Sequence, residues 1–208
     1  MVRIKICGIT NTEDAIHAIN FGADAIGFVF HKKSPRAVNT ETVRAIIADI
    51  PPFISTVGVF VDESKSKIEK IVRDTGLDLV QLHGSEPPDA CNMSKKVIKA
   101  IRVKELTDLE PLNRYQVSAF LLDTYSPHAI GGTGQIFNWD IAVEAKNFGR
   151  IILAGGLTPD NVEEAVQWVQ PYGIDVSTGV EGDRKGRKDR NKLKLFIETA
   201  RNASKGFS

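Results

Sequence analysis

The sequence predicts an α/β protein, a single-domain TIM (β/α)8 barrel, and three observations predict it. Short apolar, β-rich runs alternate with amphipathic helical stretches from end to end. These make eight strand–helix pairs in 208 residues, with no low-complexity linker or shift of composition to divide them. Several of the strands also end in a polar side chain capable of chemistry, as barrel strands do at the face where active sites form. Barrels of this kind run from roughly 200 residues upward. A doubly wound open sheet is the alternative, but eight strands without spare units fit closure better. Residues 1–208 are therefore expected to form one domain.

The elements follow in order. The first strand, 3–7, alternates faces with period two, so Val2, Ile4 and Ile6 point one way and Arg3, Lys5 and Cys7 the other. A strand packed on both faces should read apolar throughout, and this one does not. A helix over 12–21 is opened by Asn11 or Thr12, and after a second strand at 24–30 a helix over 40–49 is opened by Asn39 or Thr40. The third strand, 54–61, leads to a helix at 64–75 that Ser64 should cap. The fourth, 78–82, sets Gln81 and His83 on one face and precedes a helical pattern at 87–95. The fifth, 97–101, precedes another at 105–112. The sixth, 119–123, ends at Asp123, ahead of a glycine-bearing segment from Tyr125 to Phe137 and a helix at 139–147. The seventh, 150–154, runs into Ala154-Gly155-Gly156-Leu157-Thr158-Pro159, where proline marks the start of a helix over 159–168. The eighth, 173–177, puts Asp175 and Ser177 opposite Ile174 and Val176, and Asp189 caps a last helix over 190–203.

The balance of charge narrows the partners. With 27 basic and 26 acidic residues the net charge is +1, which argues against nucleic acid or a membrane surface as the main partner. No apolar run reaches the length of a membrane span, and a strand begins at once with no signal-peptide pattern, so a cytoplasmic protein is expected. Two cysteines, Cys7 and Cys91, make no disulfide framework, and no Cys/His spacing suggests a metal site.

A thiol (Cys7), an imidazole (His83) and two carboxylates (Asp123, Asp175) thus converge on one rim. The ordinary role of a cysteine is packing. Against that, Lys5 lies two residues back on the same face, about 7 Å along the strand, and a cation there should draw the thiol from about 8.5 toward neutrality. Gly8 then lets backbone approach a ligand. A carboxylate ending an apolar strand is costly without a purpose, although Asp also caps loops. The glycines at 131–134 do not match the dinucleotide fingerprint. Gly155-Gly156 after strand seven and Ser177-Thr178-Gly179 after strand eight are two turns in the places where barrels bind phosphate, and glycine-exposed N–H groups suit an anion. Arg36, beyond strand two, is suited to gripping a substrate carboxylate with two hydrogen bonds. The basic run from Arg184 to Arg190 is expected to be a solvated loop, and Cys91, Trp139 and Trp168 to be packing.

Taken together, KICGIT at 5–10, GADAIGFVF at 22–30, SPR at 34–36, VGVFV at 57–61, VQLHG at 80–84, LLDT at 121–124, GGTG at 131–134, AGGLTPDNV at 154–162 and DVSTGVE at 175–181 resemble the phosphoribosylanthranilate isomerase family of tryptophan biosynthesis. The matches run in order across nearly the whole chain. Two positions depart from the family's habit: Asn138 stands where an acid is common, and Gln135 where Lys is common. Neither belongs to the acid–base pair, so tuning of the loop is expected rather than loss of activity.

The resemblance implies an Amadori rearrangement of an aminoaldose to an aminoketose, with Asp123 as general acid and Cys7 as general base. It implies Arg36 for the anthranilate carboxylate, Gly155, Gly156, Ser177, Thr178 and Gly179 for the phosphate, and His83 and Asp175 lining the pocket. The iminium intermediate is its own electron sink, so neither cofactor nor metal is expected. The partner is a small molecule, and monomer and homodimer are both open. Two alternatives remain: another sugar-phosphate isomerase or epimerase on the same barrel, which would rely on paired carboxylates or a metal, and a non-catalytic phosphate-binding barrel, which would need neither Cys7 nor Asp123.

Overall fold

The computed structural model describes residues 1–124 and 139–206. Eight parallel strands close into a barrel in sequence order: β1 (Arg3–Cys7), β2 (Ala25–Val29), β3 (Ser55–Phe60), β4 (Leu79–Leu82), β5 (Lys96–Val103), β6 (Ala119–Thr124), β7 (Ile151–Leu153) and β8 (Gly173–Val176). The seam joins β8 to β1 with Lys5 opposite Asp175 and Ile6 opposite Val176. Closure leaves no sheet edge, so the exposed row of unpaired backbone groups that an open sheet carries is abolished. The barrel is the expected fold, and the open sheet is ruled out.

The period-two pattern decides what faces where. Val2, Ile4, Ile6, Ile174 and Val176 join the large apolar layer between strands and helices, together with Phe28, Phe120, Leu193 and Phe196. Val57, Ile98, Ala100, Ala119, Leu121, Ile152 and Ala154 fill the barrel interior. Filling an interior with branched and small side chains makes a packed core rather than a pore. A third cluster, with Phe60, Ile68, Val80, Leu82 and Cys91, lies under the β3–β5 side.

Among the described residues six α-helices cover the strands: α1 (Thr12–Phe21), α2 (Thr40–Asp49), α3 (Lys65–Thr75), α4 (Trp139–Ala145), α5 (Val162–Val169) and α6 (Arg190–Ala203). Asn11, Asn39 and Asp189 accept hydrogen bonds from first-turn backbone N–H groups, as expected of N-caps. Five expectations are corrected. The helical patterns at 87–95 and 105–112 are short 3-10 segments, Pro88–Cys91 and Leu106–Arg114. Pro111, inside the second of these, lacks the N–H that an α-helix would need there. Ser64 makes no side-chain cap bond. The helix after strand seven begins at Val162, because residues 159–161 form a turn in which Asn161 Oδ1 accepts from Thr158 N. Trp139 is buried as expected, but Trp168 is 58 % exposed and donates its indole N–H to Asp140. The segment from Tyr125 to Phe137, with Gly131 to Gly134 and Gln135, and Asn138 after it, lies outside the described residues.

Where helix is lacking after β4, polar contacts hold the chain. Lys99 on β5 is buried and donates to Glu86 Oε2 (2.9 Å) and to the carbonyl of Gly84 (2.8 Å). Glu86 in turn accepts from Asp62 N and Gly84 N. A buried ion pair adds little net stability over an apolar pair, but removing one member strands the other's charge. Glu86→Ala should therefore lower unfolding free energy by about 3–5 kcal/mol in chemical denaturation, and Lys99→Met with Glu86→Leu should recover most of that loss. A Glu86→Ala protein of unchanged stability would show that the pair holds nothing.

Candidate active site

The strand ends bring nine of the ten expected site residues to one cavity of about 410 Å³ at the C-terminal face. Cys7 arrives from β1, His83 from the end of β4, Asp123 from β6, Gly155 and Gly156 from beyond β7, and Asp175, Ser177, Thr178 and Gly179 from β8 and the turn that follows. Each lies where its strand emerges, because inward register positions continue past the packed layers into the open mouth.

At the seam, Lys5 Nζ donates to Asp175 Oδ1 at 2.8 Å, and Lys5 is only 4 % exposed. Both side chains point inward beside Cys7. A Cβ added at Gly27, Cys7's partner on β2, would stand 3.0 Å from Cys7 Sγ and 3.2 Å from Lys5 Nζ. Glycine there leaves room for the thiol and the ammonium to lie together. Burial pushes Lys5 down, but Asp175 and Cys7 outweigh it, so the ammonium remains charged. The expectation that Lys5 would draw Cys7 toward neutrality is overturned. Burial is the largest influence and pushes the thiol up; Lys5 opposes it, Asp175 adds to the rise, and Lys188 works against it. The cation expected from the sequence is present, but a carboxylate shares it.

The second centre joins β4 to β6. His83 Nε2 lies 3.0 Å from Asp123 Oδ2, and His83 Nδ1 lies 2.8 Å from Gln81 Nε2. Gln81 is fully buried on the inward face of β4. The backbone fixes the ring's position, since His83 N donates to Phe60 O at 2.8 Å.

The turns after β7 and β8 are pressed together. A Cβ on Gly179 would sit 1.9 Å from Leu157 O, so no larger residue fits without parting them. Gly155 and Gly156 are both left-handed, at φ 77° and 74°.

Arg36 is not free. Its Nε and Nη2 donate to the two oxygens of Glu181 at 2.6 and 2.7 Å, and Nη2 reaches Thr178 Oγ1 at 3.1 Å. It crosses the end of β1 through the space that Gly8 opens: Gly8 has φ 75°, and a Cβ there would meet Arg36 Cδ at 2.5 Å and Ser177 Oγ at 2.9 Å. The approach expected at Gly8 is made by protein side chains.

Sequence reasoning missed Glu181 and Lys188. Lys188 stands in the basic run read as solvated, yet its side chain is buried and donates to Ser177 O (3.0 Å) and Glu181 Oε1 (3.4 Å). Burial pushes the Glu181 carboxyl up, but the hydrogen bonds from Arg36, with Lys188 behind them, hold it below the usual carboxylate range. Burial likewise depresses Lys188 against the pull of Glu181. Nothing in a run of Arg and Lys singles out one to be buried; the signal is the Glu181–Lys188 bridge, which exists only once the turn is folded. Cys91 is packing, as expected.

The fold and this rim define a (β/α)8-barrel enzyme. The model of the N-(5'-phosphoribosyl)anthranilate isomerase family matches residues 4–199. The chain is 56 % identical to N-(5'-phosphoribosyl)anthranilate isomerase of Geobacter sulfurreducens over 202 residues, covering 97 % of this chain and 99 % of that one. It superposes on the crystal structure of phosphoribosyl anthranilate isomerase from Thermotoga maritima with a TM-score of 0.91 at 43 % identity, covering 97 % of this chain and all of that one. A solved complex of a phosphoribosyl anthranilate isomerase with reduced 1-(o-carboxyphenylamino)-1-deoxyribulose 5-phosphate matches with a TM-score of 0.87 at 40 % identity, again covering 97 % and 100 %. The chain belongs to the phosphoribosylanthranilate isomerase family, whose reaction lies in tryptophan biosynthesis.

The direction of the Cys7 shift is testable on the free protein. Titrating ultraviolet thiolate absorbance, with Cys7→Ala subtracted to remove Cys91, should place Cys7 ionisation above the ordinary value of about 8.5. Asp175→Asn removes a charge that disfavours thiolate, so ionisation should move to lower pH. A titration indifferent to Asp175→Asn would show that the two groups do not interact.

Proposed function

We propose that this chain, as one domain over 1–208, converts N-(5-phosphoribosyl)anthranilate to 1-(2-carboxyphenylamino)-1-deoxyribulose 5-phosphate in the cytoplasm. The observation that carries the reading is the placement of Cys7 and Asp123 in one cavity with the turns after β7 and β8. Asp123 gives a proton to the furanose ring oxygen as the C1–O bond breaks, and the nitrogen lone pair makes the C1 iminium. Cys7, as thiolate, removes the C2 proton. Those electrons form the C1=C2 bond and neutralise the iminium nitrogen. The enolamine then tautomerises to the ketone at C2, so the net change is an isomerisation. The thiolate share grows with pH, and Lys5, with Lys188 further off, supplies the positive charge that favours it.

Ser177, Thr178, Gly179, Gly155 and Gly156 would hold the phosphate, largely by backbone N–H groups. Arg36 would receive the anthranilate carboxylate. Its Nε–Nη2 edge is engaged by Glu181, so the substrate would meet the Nη1 side, with the guanidinium already oriented. Asp175 and His83 line the same cavity and would lie between the two ends of the substrate.

Purified protein given phosphoribosylanthranilate, followed by anthranilate fluorescence, should turn it over, and other aldose phosphates should not replace it. Cys7→Ala and Asp123→Asn should each lower kcat by about 10²–10⁴-fold while leaving affinity for a reduced product analogue within a few-fold. Full turnover by either variant removes that residue from its role.

A homodimer is proposed at the opposite pole. Phe53 is 97 % exposed there and borders a cavity of about 350 Å³ that Ile98, Ile152 and Tyr172 also line. A Thermotoga maritima relative is described as dimeric. Light scattering should find a dimer at micromolar concentration and a folded monomer for Phe53→Asp; a monomeric parent protein would end the proposal.

A further inference from the structure

Glu181 takes no part in the acid–base steps, yet it is buried at the rim and held by backbone and side chain alike. Its N donates to Thr178 O, its carbonyl accepts from Lys192 Nζ at 3.1 Å, and it pairs with Lys188 across an antiparallel bridge. One carboxylate oxygen accepts from Arg36 Nε at 2.6 Å and the other from Nη2 at 2.7 Å. Lys188 Nζ lies 3.4 Å from the first of these, and Lys188 N donates to Asp14 Oδ2 at 3.0 Å. Arg36 is fixed at its root as well, since its N donates to Ser34 Oγ at 3.1 Å. A guanidinium has five N–H groups. Two go to Glu181, and the second on Nη2 goes to Thr178 Oγ1 at 3.1 Å. A carboxylate that grips with both oxygens in parallel needs N–H groups on two neighbouring nitrogens. Glu181 fills the Nε–Nη2 edge, and Thr178 takes half of the Nη1–Nη2 edge. The fork that the sequence offers to a substrate is therefore already occupied, and Nη1 is what remains.

We infer that Glu181 is a positioning residue for the substrate's ring carboxylate: it locks Arg36 in one orientation, with Nη1 alone on offer, and Lys188 locks Glu181 in turn. The inference rests on the reading of Arg36 as the anchor for that carboxylate. A carboxylate gripping the very group meant to receive another looks self-defeating, but the charges say otherwise. Arg36 and Lys188 carry two positive charges against the one negative charge of Glu181, so the cluster keeps a net positive charge. The acidic groups beside it are engaged: Asp14 accepts from Asn11 Nδ2 and Lys188 N, and Glu13 pairs with Arg187. What Glu181 removes is freedom. An arginine side chain loose in water must give up its rotamers when a ligand arrives, and here that loss is complete beforehand. Ordering one such side chain is worth about 3- to 10-fold in affinity. A loose fork would also fit the substrate's other anion, the phosphate, with two parallel hydrogen bonds. Held with one nitrogen on offer, Arg36 suits a single carboxylate oxygen and leaves the phosphate to the turns after β7 and β8.

The test is calorimetric titration with two reduced product analogues, one bearing the ring carboxylate and one with hydrogen in its place. Glu181→Gln keeps the size of the side chain but can accept from only one Arg36 nitrogen. It should weaken the carboxylate-bearing analogue about 3- to 10-fold and leave the other within about 2-fold. KM for the substrate should rise by a similar factor with kcat little changed, a split that marks lost binding rather than lost chemistry. Added to Arg36→Met, Glu181→Gln should change neither affinity further, because its effect passes through Arg36. Parental or tighter binding of the carboxylate-bearing analogue by Glu181→Gln overturns the inference. So does an equal loss for both analogues, which a merely structural role would give, or the same loss in the Arg36→Met background. Should Glu181→Gln fail to fold with Lys188 left unpaired, Glu181→Gln with Lys188→Met removes both buried charges and meets the same comparison of the two analogues. Arg36→Met with parental affinity for the carboxylate-bearing analogue would instead sink the reading of Arg36, so the two failures are told apart.

Discussion

The Lys5–Asp175 pair is the contact on which the site depends. It stands at the one place where the chain's last strand must find its first, with the two residues directly opposite across the seam. A one-residue slip of β8 there would turn Asp175 outward, away from Lys5, and Ile174 and Val176 inward, so the apolar pattern and the ion pair demand the same register. Such a pair adds little net stability, because desolvation cancels most of the attraction. Its consequence is chemical: it fixes a permanent ammonium next to Cys7 and ties that ammonium to a carboxylate. The thiol is therefore held near a cation without being surrendered to it.

The same arrangement recurs around the rim. Arg36 is gripped by Glu181, Glu181 is supported by Lys188, and Lys188 binds the carbonyl of Ser177 in the turn that lines the cavity. Lys99 and Glu86 fix the segment after β4 that carries His83. Lys5, Arg36, Lys99 and Lys188 are thus each held by a carboxylate or a backbone carbonyl before any ligand arrives. Preorganisation of this kind lowers the reorganisation needed when charge develops in a reaction.

Family membership and geometry answer different questions. Similarity along 97 % of the chain establishes which family it belongs to. The geometry says how this chain's residues could perform the family's chemistry, and where the polar interior departs from a passive core. Gln81 is the clearest case, since an amide in that place has no packing advantage over an apolar residue.

The sequence by itself determined the barrel, the order of its eight strands and which residues face inward, because period-two alternation and strand ends are local signals. Cys7, His83, Asp123 and Asp175 could be placed on one rim from parity alone. Pro111 also held the information that residues 105–112 would not be α-helical, although the apolar pattern spoke for helix. What only the tertiary structure decided was who meets whom. Glu181 with Arg36, Lys188 inside a run of solvated cations, Asp175 sharing Lys5 with Cys7, and the upward push on that thiol all depend on burial and on partners 7 to 170 residues away. Desolvation and long-range pairing have no signature in a local pattern, since the residue types are the same whether buried or bathed in water.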